Sequence, residues 1–186
     1  MQPISLIYIP AWQQEREHQP FVLSGAEVLT ADFVQNPRAM PNDIVQKLDR
    51  MIIKQRQQGA KVGLIGHAIG GYYAAFMAEK HQLPAILINP IVKAYASLLL
   101  ADLLEDNADF EHIQKQLQQL EFATTQPDSL MLMLQKGDLL QDFQQALNEY
   151  ADCNQIVLNG GNHHFAYLQD WLQAMVGFFN RYYQRQ

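Results

Sequence analysis

The chain has 186 residues, 48% hydrophobic and 17% charged, with a net charge of −6; this describes one globular domain, residues 1–186, rather than a disordered chain. Its few Lys and Arg are scattered, which disfavours a nucleic-acid partner, and its one cysteine, Cys153, excludes an intramolecular disulfide. No apolar run approaches the ~20 residues of a membrane span, and Met1–Ser5 carries no basic signal-peptide region, so a cytoplasmic protein is expected.

Six short apolar runs bounded by Gly, Pro or Asn read as buried parallel strands: Ser5–Ile9, Glu27–Thr30, Lys61–Gly66, Ala85–Asn89, Leu130–Leu134 and Gln155–Leu158. Before the third of them, Pro41-Asn42-Asp43 starts a helix whose apolar face, Ile44, Leu48 and Ile52, ends near Gly59. From Gly71 to His81 the small residues Ala74, Ala75 and Ala78 let a helix lie close to a sheet. Residues 91–125 break the rhythm: Leu98-Leu99-Leu100, Ile113, Leu117 and Leu120 form either a helical cap over a pocket or a crossover helix pair. Leu139, Phe143, Leu147 and Tyr150 repeat at helical spacing, and Phe165, Leu168, Leu172, Met175, Val176, Phe179 and Tyr183 form a last amphipathic stripe. These aromatics and methionines are expected in the core, and the alternation predicts a doubly wound α/β sheet. The tail from Arg181 to Gln186 reads as a dimer contact or as a fraying helix end.

The third strand, Lys61–Ile65, runs directly into Gly66-His67-Ala68-Ile69-Gly70-Gly71 and then into a helix. Strand, sharp turn and helix are the setting of a nucleophile elbow, Gly-x-Ser-x-Gly, whose flanking glycines leave room for the turn. Here the central residue is Ala68. A phosphate-binding loop would end in Lys-Ser/Thr and belong to the first strand; neither holds, and no cofactor is expected.

Three spaced blocks carry a resemblance to the small bacterial esterases of the YqiA type. They are Gly66–Ala74, Leu83-Pro84-Ala85-Ile86-Leu87-Ile88-Asn89-Pro90, and the C-terminal third with Gln135-Lys136-Gly137-Asp138, Tyr150-Ala151 and Gly160-Gly161-Asn162-His163-His164-Phe165. The likeness runs from near the first strand to the last helix and is weak from Ser97 to Thr125. It implies an α/β-hydrolase fold: a mostly parallel sheet of about six strands, helices on both faces and a small helical cap. It also implies a triad in the order nucleophile, acid, base, with Asp138 as acid and His163 as base. Asp142 is the alternative acid, or a helix-start carboxylate. His164 is read as a neighbour of the base, and His67 as a structural residue beside the elbow; both, with Trp12, are placed in the pocket.

The family's His-Gly turn after the first strand, which helps shape the oxyanion hole, is replaced by Pro10-Ala11. Proline offers no amide hydrogen and alanine resists φ > 0. The backbone nitrogen of Ile69 remains as one oxyanion donor, with Ala11 at the second position. No metal is expected from His67, His163, His164 and Asp138, because adjacent histidines do not face one ion and the usual ligand spacings are missing.

Three readings follow. The favoured one is a catalytically degenerate relative of short-acyl carboxylesterases that binds a small acyl or ester-like ligand, or a protein partner, including a second copy of itself. The next is a serine esterase whose nucleophile was exchanged for Ala68 in the laboratory, against which the altered Pro10-Ala11 turn counts. The third is non-covalent chemistry by an Asp138–His163 dyad.

Overall fold

The structure, a computed structural model, describes residues 3–12, 26–97 and 108–185. Its strands are β1 (Ile4–Ile9), β2 (Ala26–Thr30), β3 (Lys61–His67), β4 (Ala85–Ile88), β5 (Leu130–Gln135) and β6 (Asn154–Leu158). They form one wholly parallel sheet in the order β2-β1-β3-β4-β5-β6. The chain steps outward from β1 to β2, returns past β1 to β3, and then advances one strand at a time the other way. The order therefore reverses between β1 and β3, and in open parallel sheets the crevice outside the carboxyl ends at that reversal is where ligands bind.

Side chains alternate across the sheet, which splits the core in two. Ile7, Ile9, Leu64, Leu87 and Leu132 face one layer; Leu6, Tyr8, Ile65, Ile86 and Met131 face the other. Four helices contribute to the first layer: α1 (Pro41–Gln57), α2 (Ile69–His81), α3 (Phe110–Gln119) and α4 (Phe143–Glu149). The second is covered by α5 (Leu172–Gln184) through Met175, Phe178 and Phe179. Each fully buried Leu or Ile contributes about 1.5–3 kcal/mol relative to exposure, so both layers are needed to fix the sheet.

Helix boundaries follow local chemistry. Pro41, with φ preset by its ring, takes the first position of α1, and Met40 before it is extended. Asp142 caps α4 by accepting a hydrogen bond from the Gln144 amide at 2.9 Å, so the helix begins at Phe143. Leu139, read from spacing as its first apolar residue, lies outside it and is 95% exposed. The last stripe is likewise shorter as a helix than as a pattern. Phe165 is buried at φ +60 in a loop, Leu168 lies in a 3-10 turn, and the α-helix starts only at Leu172. Periodicity cannot distinguish a buried loop residue from the first turn of the helix that follows it.

Of the stretch 91–125, residues 98–107, including Leu98-Leu99-Leu100, lie outside the described residues. Its visible helix, α3, buries Ile113 and Leu117 in the first layer, where the Leu117 carbonyl accepts from the Tyr72 hydroxyl at 2.7 Å. Among the described residues no helix is long and apolar enough to cross a membrane.

The seam between the sheet and α5 is tight at Gly63. A Cβ there would lie 2.5 Å from the Phe179 ring and 2.7 Å from Leu6. Gly63→Ala is expected to lower the unfolding free energy by about 1–3 kcal/mol as α5 is pushed off β3, measured by urea denaturation.

Candidate active site

All the sequence-predicted site residues lie at or just beyond the carboxyl ends of β1, β3 and β5 or in the loop after β6. At the end of β3 the chain must reverse into α2 within one residue. Ala68 is that residue, at φ 50 and ψ −114, a conformation that non-glycine residues avoid. Its backbone is tied on both sides: the amide donates to the Ile88 carbonyl at 3.0 Å, and its own carbonyl accepts from Gly71 at 3.0 Å and from Ile91 at 3.1 Å. The reversal also forces close approach. A Cβ on Gly70 would lie 1.9 Å from the Ile9 carbonyl oxygen, and one on Gly66 would lie 2.2 Å from that of Gly70. Gly-x-Ala-x-Gly is therefore a steric requirement of this turn, with Ala68 at its apex.

Asp138 follows β5 and is buried, its side chain 1% exposed. One carboxylate oxygen accepts the Leu140 amide at 2.8 Å, and the other lies 2.9 Å from Nδ1 of His163. Nδ1 must donate to a carboxylate, which makes Nε2 the acceptor of the neutral ring. The His163 side chain is 14% exposed, so a buried acid holds a ring that still reaches solvent. Asp142, the alternative acid, is occupied as the cap of α4.

His67 is buried, donates through Nε2 to the His163 carbonyl at 2.7 Å, and has its ring centroid 5.4 Å from that of His163. This brings the base beside the elbow. His164 is exposed, with its ring 5.8 Å from that of His163. Ile69 and Ala11 are both buried. Ile69 opens α2, where first-turn amides have no partner within the helix and carry the positive end of its dipole. Pro10 and Ala11 follow β1, and the Pro10 carbonyl oxygen would lie 2.7 Å from a Cβ on Gly70. Trp12, partly buried, packs against the first core layer.

A cleft of about 600 Å³ adjoins the site, lined by Pro90, Ile91, Val92, Lys93, Leu140 and Gln145 among others. Ala68 and His163 do not line it. It touches the site through Ile91, bonded to the Ala68 carbonyl, and Leu140, bonded to Asp138. The loops that carry Asp138 and His163 leave apolar side chains in solvent: Leu139, Leu140 at 59% and Tyr167 at 71% exposed. Cys153 offers no substitute nucleophile. It precedes β6, at the amino ends of the strands and away from their carboxyl ends, and burial, then Asp152 and Asp128, push its thiol up to about 11. Among the described residues no group of three or more His, Cys, Asp or Glu is placed to hold a metal ion.

Two buried polar residues that the motifs did not single out, Asn89 and Gln135, end β4 and β5 and bond the loop carrying His163. The available signal was a polar side chain closing an apolar strand, followed by Pro90 or Gly137.

A six-stranded parallel sheet reversing at β1/β3, with a positive-φ strand-to-helix turn after β3, is the α/β-hydrolase fold. The chain belongs to the Uncharacterised protein family UPF0227, the YqiA-type family, whose family model matches residues 17–180. Solved structures agree on the fold. The esterase Est1E from Butyrivibrio proteoclasticus, determined with ferulic acid bound, is similar with a TM-score of 0.73 and 13% identity, over 97% of this chain and 89% of that one. The Pyrococcus furiosus esterase Pf2001 is similar with a TM-score of 0.68 and 12% identity, over 97% and 82%. The metagenome-derived lipolytic enzymes LipS and LipT supply a third likeness, with a TM-score of 0.69 and 10% identity over 97% and 94%.

Strain at the apex has a measurable consequence. In a helix or strand Ala→Gly costs about 0.5–1 kcal/mol, but the conformation of Ala68 itself costs of order 1–3 kcal/mol and glycine adopts it freely. Ala68→Gly is therefore expected to leave stability level or to raise it by up to about 1 kcal/mol in chemical denaturation.

Proposed function

We propose that this protein is an α/β-hydrolase that forms no acyl-enzyme and instead binds a small acyl or ester-like ligand over the elbow. The observation that carries this reading is the methyl group of Ala68 at the strained apex, where the fold presents its nucleophile, beside an assembled Asp138–His163 pair. Without a hydroxyl there is no covalent route. Pro10 in the turn after β1 has no amide hydrogen to offer as a second oxyanion donor, while the Ile69 amide at the start of α2 remains to hold a carbonyl oxygen. The exposed Leu139, Leu140 and Tyr167 suit a ligand with an apolar part.

The pair itself favours a second reading, in which His163, oriented by Asp138, takes a proton from the ligand or from a water without covalent catalysis. An assembly role, with a second copy or another protein, is tested by the size of the purified species.

Hydrolysis of short-chain p-nitrophenyl esters separates these readings. The protein itself and Ala68→Ser are both expected to stay near background. The triple variant Ala68→Ser with Pro10→His and Ala11→Gly is expected to gain about 10²-fold or more over Ala68→Ser, the usual worth of one oxyanion donor. Full recovery by Ala68→Ser alone would identify a serine esterase missing only its nucleophile. Hydrolysis by the unaltered protein that His163→Ala abolishes would overturn the binder in favour of the dyad.

A further inference from the structure

The ring of His163 is oriented by Asp138, but its backbone is held by other residues. The loop after β6 carries Gly160 and Gly161 at positive φ, then Phe165 and Tyr167 at φ +60 and +61. Such a succession persists only where surrounding contacts over-determine it. Those contacts come chiefly from two buried amide side chains. Nδ2 of Asn89 donates to the carbonyls of Asn162 and His163, at 3.2 Å each. Its Oδ1 accepts the Gln135 amide at 2.9 Å, locking it to the next strand. Oε1 of Gln135 accepts the amides of Asn162 at 3.0 Å and Ala166 at 2.8 Å, and its Nε2 donates to the Ala166 carbonyl at 2.8 Å.

The two amides thus bond the residues on either side of the base and the base itself, and they leave from the ends of adjacent strands. The backbone makes room for them. A Cβ on Gly161 would lie 2.1 Å from Oε1 of Gln135, and Asn89 sits at φ +39, which asparagine tolerates better than most residues. His67 adds a second bond to the His163 carbonyl.

We infer that Asn89 and Gln135 are positioning residues for His163, fixing the loop so that Nδ1 meets Asp138. They act through the backbone of the base and do not touch the reacting atoms. The inference deepens the preceding reading, since it takes the Asp138–His163 pair as the working part of the site.

The test reads the imidazole proton, not turnover. In proton NMR of the intact protein, the Nδ1 proton of His163 donating to a carboxylate is expected as a downfield resonance, assigned by its loss in His163→Ala. Asn89→Asp keeps the acceptor for Gln135 and replaces the donor to the loop; Gln135→Ala removes the other half. Both are expected to lose the resonance, or to exchange it with solvent about tenfold faster or more, through easier local opening. Ser129→Ala, buried before β5 and remote from the loop, is expected to leave the resonance alone whatever it does to thermal stability. Gln135→Glu keeps the acceptor of two amides and is expected to retain more of the signal than Gln135→Ala, which serves if either harsher variant fails to fold. An unaltered resonance in Asn89→Asp and in the folded Gln135 variants overturns the inference, as does its absence from the unaltered protein. Failure of the protein to bind or turn over an acyl compound leaves this readout intact, so the two claims fail separately.

Discussion

Everything at this site depends on a reversal of the chain within one residue. For β3 to lie between β1 and β4 and for α2 to cover the sheet, the backbone must turn at Ala68 into a conformation that side chains disfavour. Glycine on either side lets the Ile9 and Gly70 carbonyls come within a carbon's radius of the turn. Packing from three strands and α2, with fully buried Ile9, Ile65, Leu87 and Ile69, holds it there. The side chain at the apex contributes little to that balance. A serine hydroxyl can be lost from the turn while the turn remains.

Asp138 and His163 are secured differently. Asp138 is a carboxylate with almost no solvent, and its two hydrogen bonds, to Leu140 and His163, compensate its burial. His163 keeps part of its ring in solvent, and its position rests on backbone carbonyls and amides clasped by Asn89, Gln135 and His67. Donors and acceptors in this network are matched, and removing any member leaves a buried polar group without its partner, at about 1–3 kcal/mol.

That difference explains what could be read from the chain. The six parallel strands came through because central parallel strands are short apolar runs between turn residues, as in Ala85–Ile88 and Leu130–Gln135. The edge strands β2 and β6, expected to be buried, have no buried residue because each has a neighbour on one side only. The elbow was legible because a steric demand leaves glycines at fixed spacing. Leu139 and Phe165 were misassigned because helical spacing continues by chance across a capped boundary at Asp142 and across a positive-φ loop. Asn89 and Gln135 were not singled out because nothing local distinguishes a strand-ending amide that solvates itself from one that clasps a loop 73 or 27 residues away. Their partners are backbone atoms, which have no letter in the sequence.

The persistence of the Asp–His pair beside an alanine therefore carries less weight as evidence for catalysis than it first suggests. Ser→Ala at the apex removes one hydroxyl, whereas losing His163 strands a buried carboxylate, a change of several kcal/mol. On stability alone, an alanine at the apex is a far smaller change than the loss of His163 or Asp138. What stability does not require is that the ring of His163 reach solvent, or that Leu139, Leu140 and Tyr167 stand exposed in the loops after β5 and β6. Burying those side chains would be the cheaper arrangement, at about 25 cal/mol per Å² of apolar surface. Their exposure, in the loops that carry Asp138 and His163, is the part of this region that folding does not explain.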